Sequence, residues 1–206
     1  MFPRCKKNFF RSGTACALDS AGAKMFPAGT SNFWSVTAMY TSDSIQTCCF
    51  SGHRAAKLPW GYNESDGRCT ALKRRIRDVL DSLYDSGARH FICGMALGCD
   101  MYFAEAVLAL RAERGGVTLE AAVPCLDQDR FWPERAQTRY RRLLSMCDTR
   151  TVLEHSYSPG CMERRNRYMV DRSSVLVAVY NGGSGGTLNT IRYAHSRGLT
   201  VLQLTY

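Results

Sequence analysis

The run Val175–Tyr180, VLVAVY, is apolar and rich in β-branched residues, and it breaks at once into NGGSGGT, four glycines around one serine. The run reads as the strongest strand of the chain. Thr187–Arg197 then suits a helix stopped by Gly198. A strand, a glycine loop and a helix in that order expose backbone N–H groups at a helix N-terminus, where anions are attracted. The loop is not a P-loop, because no Lys-Ser/Thr pair follows its glycines. It also lacks a GxGxxG fingerprint in register.

The same grammar recurs upstream. TCCFSG is a short strand entering a turn, and Leu72, Ile76, Val79, Leu80, Leu83 and Tyr84 repeat at helical spacing before Gly87. His90–Cys93 is a strand and Cys99–Arg114 a helix; Leu119–Val123 is a strand stopped by Pro124, and Pro133–Cys147 a helix. Thr151–Glu154, Met162–Arg172 and Thr200–Leu204 read as strand, helix and strand. Alternation of this kind predicts an α/β, Rossmann-like three-layer fold with a mainly parallel sheet of about six strands. Ligands of such folds sit beyond the carboxyl ends of the strands.

Composition narrows the setting. The chain has 206 residues, 45% hydrophobic and 22% charged, enough for one α/β domain with a sizeable core. Residues 1–46 are rich in Ser, Thr, Gly and Ala without a sustained period, so they are expected to be a poorly ordered extension preceding a domain at 47–206. A further expectation is that translation starts near Met39. Ten cysteines without any CxxC pair, together with only four histidines, argue against a zinc site and for buried thiols in a reducing cytoplasm. No metal ligand set is expected. No apolar run is long enough for a bilayer, so no membrane role is expected.

The net charge of +9 is spread along the chain: five Lys/Arg oppose two Asp/Glu in residues 1–46, and 22 oppose 16 in the rest. No aromatic–basic alternation stands out, so nucleic acid is not expected as a partner.

Chemistry-bearing residues follow the strands. Ser51-Gly52-His53-Arg54 offers a close backbone approach and anion donors, and His53 is a candidate general acid or base. Gly94-Met95-Ala96-Leu97-Gly98-Cys99-Asp100 puts a carboxylate in a first helical turn, which suits the helix dipole or a ribose hydroxyl. Gln128 and Trp132 are candidates for touching a ligand base, although a core or rim aromatic is the plainer reading of Trp132. In GCMERRNRYMVD, Arg164, Arg167 and Tyr168 share one helical face, while Arg165 and Asn166 point elsewhere.

Taken together, CCFSGHR, LPWGYNESDGRC, FICGMALGCD, PCLDQDRFW, GCMERRNRYMVD and NGGSGGT resemble the SLOG superfamily, named for the DNA-processing Smf/DprA proteins and the LOG cytokinin-activating enzymes. The chain looks closest to its YpsA-like branch over about residues 47–206. The resemblance implies that Gly52, His53 and Arg54 line a first turn and Gly94, Gly98 and Asp100 a second. It puts Arg165 and Asn166 across the pocket, and Gly182, Gly183, Gly185, Gly186 and Thr187 against phosphate. It also implies a homodimer. LOG enzymes carry PGGxGTxxE, whose glutamate takes part in base release. Here Thr190 stands at that position and Asn181 replaces the proline. Threonine supplies no carboxylate.

The expected function is therefore non-catalytic binding of a nucleotide or nucleotide-derived ligand, NAD- or ADP-ribose-like, by a sensor or regulator. The first alternative is a nucleotide hydrolase or phosphoribohydrolase-like enzyme using His53, Asp100 or Glu163. The second is single-stranded DNA binding.

Overall fold

The computed structural model describes residues 46–206. Apart from Gln46, the expectations for the N-terminal extension and for a start near Met39 lie outside the described residues. Six strands form one sheet: β1 (Thr47–Gly52), β2 (His90–Cys93), β3 (Thr118–Cys125), β4 (Thr149–Glu154), β5 (Val175–Val179) and β6 (Thr200–Leu204). The order is β4-β3-β2-β1-β5-β6, and every pair is parallel. Five helices make the outer layers: α1 (Gly67–Asp85), α2 (Cys99–Arg114), α3 (Glu134–Met146), α4 (Cys161–Asp171) and α5 (Gly186–Ser196). This is the α/β, three-layer Rossmann-like architecture that the alternation predicts.

Side-chain alternation along the central strands sorts the core into two halves. Cys48, Phe50, Phe91, Cys93, Val175 and Val177 face α1, α2 and α3, whereas Cys49, Ile92, Leu176 and Ala178 face α4 and α5. Phe50 stacks on Phe103 of α2 with ring centroids 4.4 Å apart. Seven of the eight cysteines in this region are buried, Cys147 is half-buried, and all eight are free. They act as small core hydrophobes. Among the described residues no helix is long and apolar enough to cross a membrane.

Two boundaries differ from expectation for identifiable reasons. Helix α1 begins at Gly67 rather than near Leu72, because Asp66 caps it and accepts from the Arg68 amide at 2.8 Å. Strand β3 continues through Pro124 to Cys125. Its neighbour β2 ends at Cys93, opposite Ala121, so Pro124 lies where β3 is paired with β4 alone. A residue without an N–H is tolerated beside such a free edge.

The turns after β1 and β2 are stitched together. The Cys99 amide donates to the His53 carbonyl at 3.2 Å, the Ala55 amide donates to Leu97 at 3.3 Å, and Arg54 and Gly98 form a β-bridge. Gly98 has φ +114°, and a Cβ there would lie 2.6 Å from the Ala55 nitrogen and 2.9 Å from the His53 oxygen. Both the conformation and the contact require glycine. Gly98→Ala is expected to cost about 1–3 kcal/mol. Urea unfolding monitored by circular dichroism measures it; an unchanged midpoint would contradict the stitched-turn account.

Candidate functional site

The sheet winds in two directions from its middle. β1 leads by α1 to β2 on one side, and β5 leads by α5 to β6 on the other. The carboxyl ends of β1 and β5 therefore flank the switch point, where the two connections diverge and leave a crevice. A cleft of about 430 Å³ opens there. It is walled by the turn after β1, the start of α2, α4 and the glycine loop after β5.

Beneath this cleft lies a buried ion pair. Arg165 of α4 is 5% exposed and Asp100 of α2 is 4% exposed. The Arg165 Nη1 donates to the Gly94 carbonyl and sits 4.0 Å from Asp100 Oδ2; its Nε donates to Asn166 Oδ1 at 2.8 Å. Asp100 Oδ2 also accepts from the Ala96 amide at 3.1 Å. Burial pushes the Asp100 carboxyl up and the Arg165 guanidinium down, and their mutual attraction opposes both shifts. A Cβ on Gly94 would collide with the Arg165 guanidinium. Gly94 thus makes room for an arginine.

The turn after β1 carries the cleft's histidine and two of its cations. His53 Nδ1 pairs with the Tyr206 hydroxyl at 2.9 Å, and its ring meets those of Tyr180 and Tyr206 edge-on. Burial, then the nearby Lys57 ammonium, hold the His53 pKa below its ordinary value. The Arg54 side chain is exposed and makes no hydrogen bond or ion pair among the described residues. Lys57 ends a single 3₁₀ turn (Ala55–Lys57), and its Nζ donates to the Ser184 carbonyl at 3.1 Å.

Lys57 brings an ammonium to the glycine loop. A Cβ on Gly185 would lie 2.8 Å from Lys57 Nζ, so only glycine lets the ammonium come this close. Gly185 is also the N-cap of α5 and supplies no side-chain cap. The first amides of α5 are left without a capping side chain, beside a lysine. The loop is anchored at its start, where Asn181 Nδ2 donates to the Tyr206 carbonyl at 2.9 Å and the Tyr206 amide donates back to Asn181 Oδ1 at 3.1 Å. Tyr206 also packs edge-on against buried Trp60, with ring centroids 5.2 Å apart. One residue after β6 therefore positions the histidine turn and the glycine loop together.

Of the residues expected in the site, Gly52, His53, Arg54, Asp100, Arg165, Asn166, Gly185, Gly186 and Thr187 line the cleft. Gly94 and Gly98 do not; they serve packing beneath it. Gly182 and Gly183 form the exposed outer part of the loop, where the Tyr180 hydroxyl donates to the Gly183 carbonyl at 2.7 Å. Gln128 is buried, with Nε2 donating to the Met95 carbonyl at 3.0 Å, and Trp132 packs edge-on against Tyr140, so both are structural. No hydrogen bond joins His53 to Asp100 among the described residues. Glu163 is salt-bridged to Arg167 at 2.7 Å.

Thr190 is 2% exposed; it accepts from Asn166 Nδ2 and donates to the Gly186 carbonyl, both at 2.8 Å. It closes a polar bridge and offers no base. Sequence reasoning missed Lys57 and Tyr206. The HRAAK spacing across a turn was a signal for the lysine, whereas nothing local marked the tyrosine.

Asp100→Asn keeps an acceptor for the Ala96 amide but leaves the Arg165 charge buried and unpaired. It is expected to cost about 3 kcal/mol, and Arg165→Met added to it should cost less than the sum of the two single changes. A double-mutant cycle by urea denaturation measures this, and strict additivity would refute the pairing.

Comparison with known proteins bears on the family and the fold. The family model YpsA, described as the YspA SLOG family, matches residues 48–197. The chain is 31% identical over 136 residues to the uncharacterized SPbeta prophage-derived protein YoqJ of Bacillus subtilis (strain 168), covering 60% of this chain and 80% of that protein. It is 25% identical over 145 residues to a UPF0398 protein of Bacillus thuringiensis (strain Al Hakam), covering 69% and 78%.

Among solved structures, DNA processing protein A (DprA) from Streptococcus pneumoniae matches with TM-score 0.54 at 16% identity, over 77% of this chain and 50% of that one. DNA processing protein A from Helicobacter pylori matches with TM-score 0.51 at 17% identity, over 78% and 66%. The chain thus spans half of the first and just under two thirds of the second. The latter structure concerns a single-stranded DNA binding mode. These neighbours correct the expectation that set nucleic acid aside: the spread of charge and the lack of an aromatic–basic alternation were insufficient grounds, because a fold shared with DNA processing proteins needs neither feature in its linear sequence. The matched span covers well over half of the chain, and the chain belongs to the YspA SLOG family.

Proposed function

We propose that this protein binds a phosphate-bearing nucleotide or nucleotide-derived ligand in the strand-end cleft and acts as a sensor or regulator. One observation carries the reading: the N-terminus of α5, capped by Gly185 without a side chain, faces the Lys57 ammonium across a glycine loop, with Arg54 exposed on the same rim. Amide donors, a helix dipole and unneutralised cations meet at a switch-point crevice, a combination suited to phosphate. A cleft of about 430 Å³ suits a small ligand of nucleotide size.

Binding without breakage follows from the carboxylates. Asp100 is buried against Arg165, Glu163 pairs with Arg167, and Thr190 stands where the LOG glutamate would be. None is free to serve as general base or to stabilise an oxocarbenium ion. A second reading, single-stranded DNA binding, draws on the fold shared with Helicobacter pylori DNA processing protein A. The same rim cations would then meet a polynucleotide backbone.

Thermal shift and calorimetry with nucleoside mono- and diphosphates, ADP-ribose and NAD test the main reading. Lys57→Ala combined with Arg54→Ala is expected to weaken the best ligand about ten-fold or more without lowering the melting temperature. Absence of stabilisation by every compound, in folded protein, would sink this reading. Single-stranded oligonucleotide affinity that falls steeply with salt would favour the second. Base release detected by chromatography and abolished in a folded Asp100→Asn variant would overturn the non-catalytic assignment.

A further inference from the structure

A second cleft of about 330 Å³ lies between the N-terminal halves of α4 and α5, and it shares Met162, Asn166 and Gly186 with the first. The two cavities are lobes of one depression divided by the bridge from Asn166 to Thr190. Their chemistry differs. Arg54, Lys57 and the uncapped amides line the first lobe. In the second, the one cation is Arg167, already paired with Glu163 at 2.7 Å and lying over the Tyr193 ring at 5.2 Å. The rest of that lobe offers aromatic and neutral polar groups: Tyr157, 64% exposed, and the exposed Asn189 amide, whose side chain makes no hydrogen bond among the described residues.

Resting on the phosphate reading of the first lobe, we propose that the second lobe holds the nucleobase of the ligand. The ring would stack on Tyr157, and its hydrogen-bonding edge would meet the Asn189 amide. An aromatic surface with free donors and acceptors, and without surplus charge, suits a neutral heteroaromatic ring better than a second phosphate. The ligand class is thus a nucleoside phosphate that spans the bridge, with the sugar over Asn166 and Thr190. The base adds affinity that a sugar phosphate lacks.

Calorimetry decides this with three classes of probe: inorganic phosphate, ribose 5-phosphate, and the adenosine, guanosine, cytidine and uridine 5′-monophosphates. At least one monophosphate is expected to bind on the order of ten-fold tighter than ribose 5-phosphate. Tyr157→Ala should remove most of that preference while leaving the ribose 5-phosphate affinity unchanged, and Asn189→Ala should alter the ranking among the bases. Both positions are exposed, so folding should survive, and a melting curve checks it. Equal affinity for ribose 5-phosphate and every monophosphate overturns the base lobe and leaves the phosphate lobe standing. So does a Tyr157→Ala loss shared equally by both probe types. No binding of any probe overturns the base lobe, and no binding of the diphosphates, ADP-ribose or NAD either takes down both.

Discussion

The guanidinium of Arg165 occupies the space that a side chain at position 94 would need. Much of the architecture hangs on that substitution of an arginine for a β-carbon. The crossover from β4 to β5 must travel back over β3, β2 and β1, because β5 pairs on the far side of β1. Helix α4 makes that journey, and Arg165 is where it locks, onto the carbonyl that ends β2 and beside the carboxylate that starts α2. Leaving a charge in the core would cost several kcal/mol if it were unpaired. Asp100, the Gly94 carbonyl and Asn166 offset that cost, so the helix has one favourable seating. The crevice above it is consequently a fixed shape.

The same seating explains why the two basic groups available to a ligand come from elsewhere. Arg165 is a deeply buried cation of the cleft, and its Nη1 and Nε donors meet Gly94 and Asn166. The other cations of the rim belong to the turn after β1, where Arg54 and Lys57 project from a segment tied to α2 by the Cys99 and Ala55 amides. Tyr206 adds the other tie, holding His53 and Asn181 from opposite sides of the loop system. Preorganisation of this kind reduces the ordering entropy that a ligand would otherwise have to overcome.

How much of this was legible in the sequence depends on how local each signal was. The strand runs TCCFSG, HFIC and TVLQL coincide with β1, β2 and β6, since apolar runs bounded by glycine or a turn carry their own evidence. Helix α2 likewise matches from Cys99 to Arg114. The glycine loop was visible as a break in composition. By contrast, helical spacing alone separated Arg165 and Asn166 from Arg164 and Arg167 without saying which pair faced inward. The crossover of α4 decides that, and it is a property of the sheet order. Lys57 reaches the glycine loop across 127 residues of chain, and Tyr206 reaches His53 across 153. Such contacts have no local pattern to read. The long β3 was hidden by Pro124, whose tolerance depends on β2 being short.

Thr190 shows how a single substitution redirects a site without dismantling it. Its hydroxyl is held by Asn166 and by the Gly186 carbonyl one turn earlier, so it braces the start of α5 against α4. A glutamate there would bring a second acidic group to a lobe that already contains Glu163, and it could not donate to Gly186 when ionised. The Asn166–Thr190 bridge and a free catalytic carboxylate are therefore alternatives at one position. This chain has the bridge, which ties the first turn of α5 to α4 and leaves a neutral hydroxyl at position 190. A neutral hydroxyl and a carboxylate make opposite demands on the packing at residue 190, and the contacts with Asn166 and the Gly186 carbonyl suit the hydroxyl.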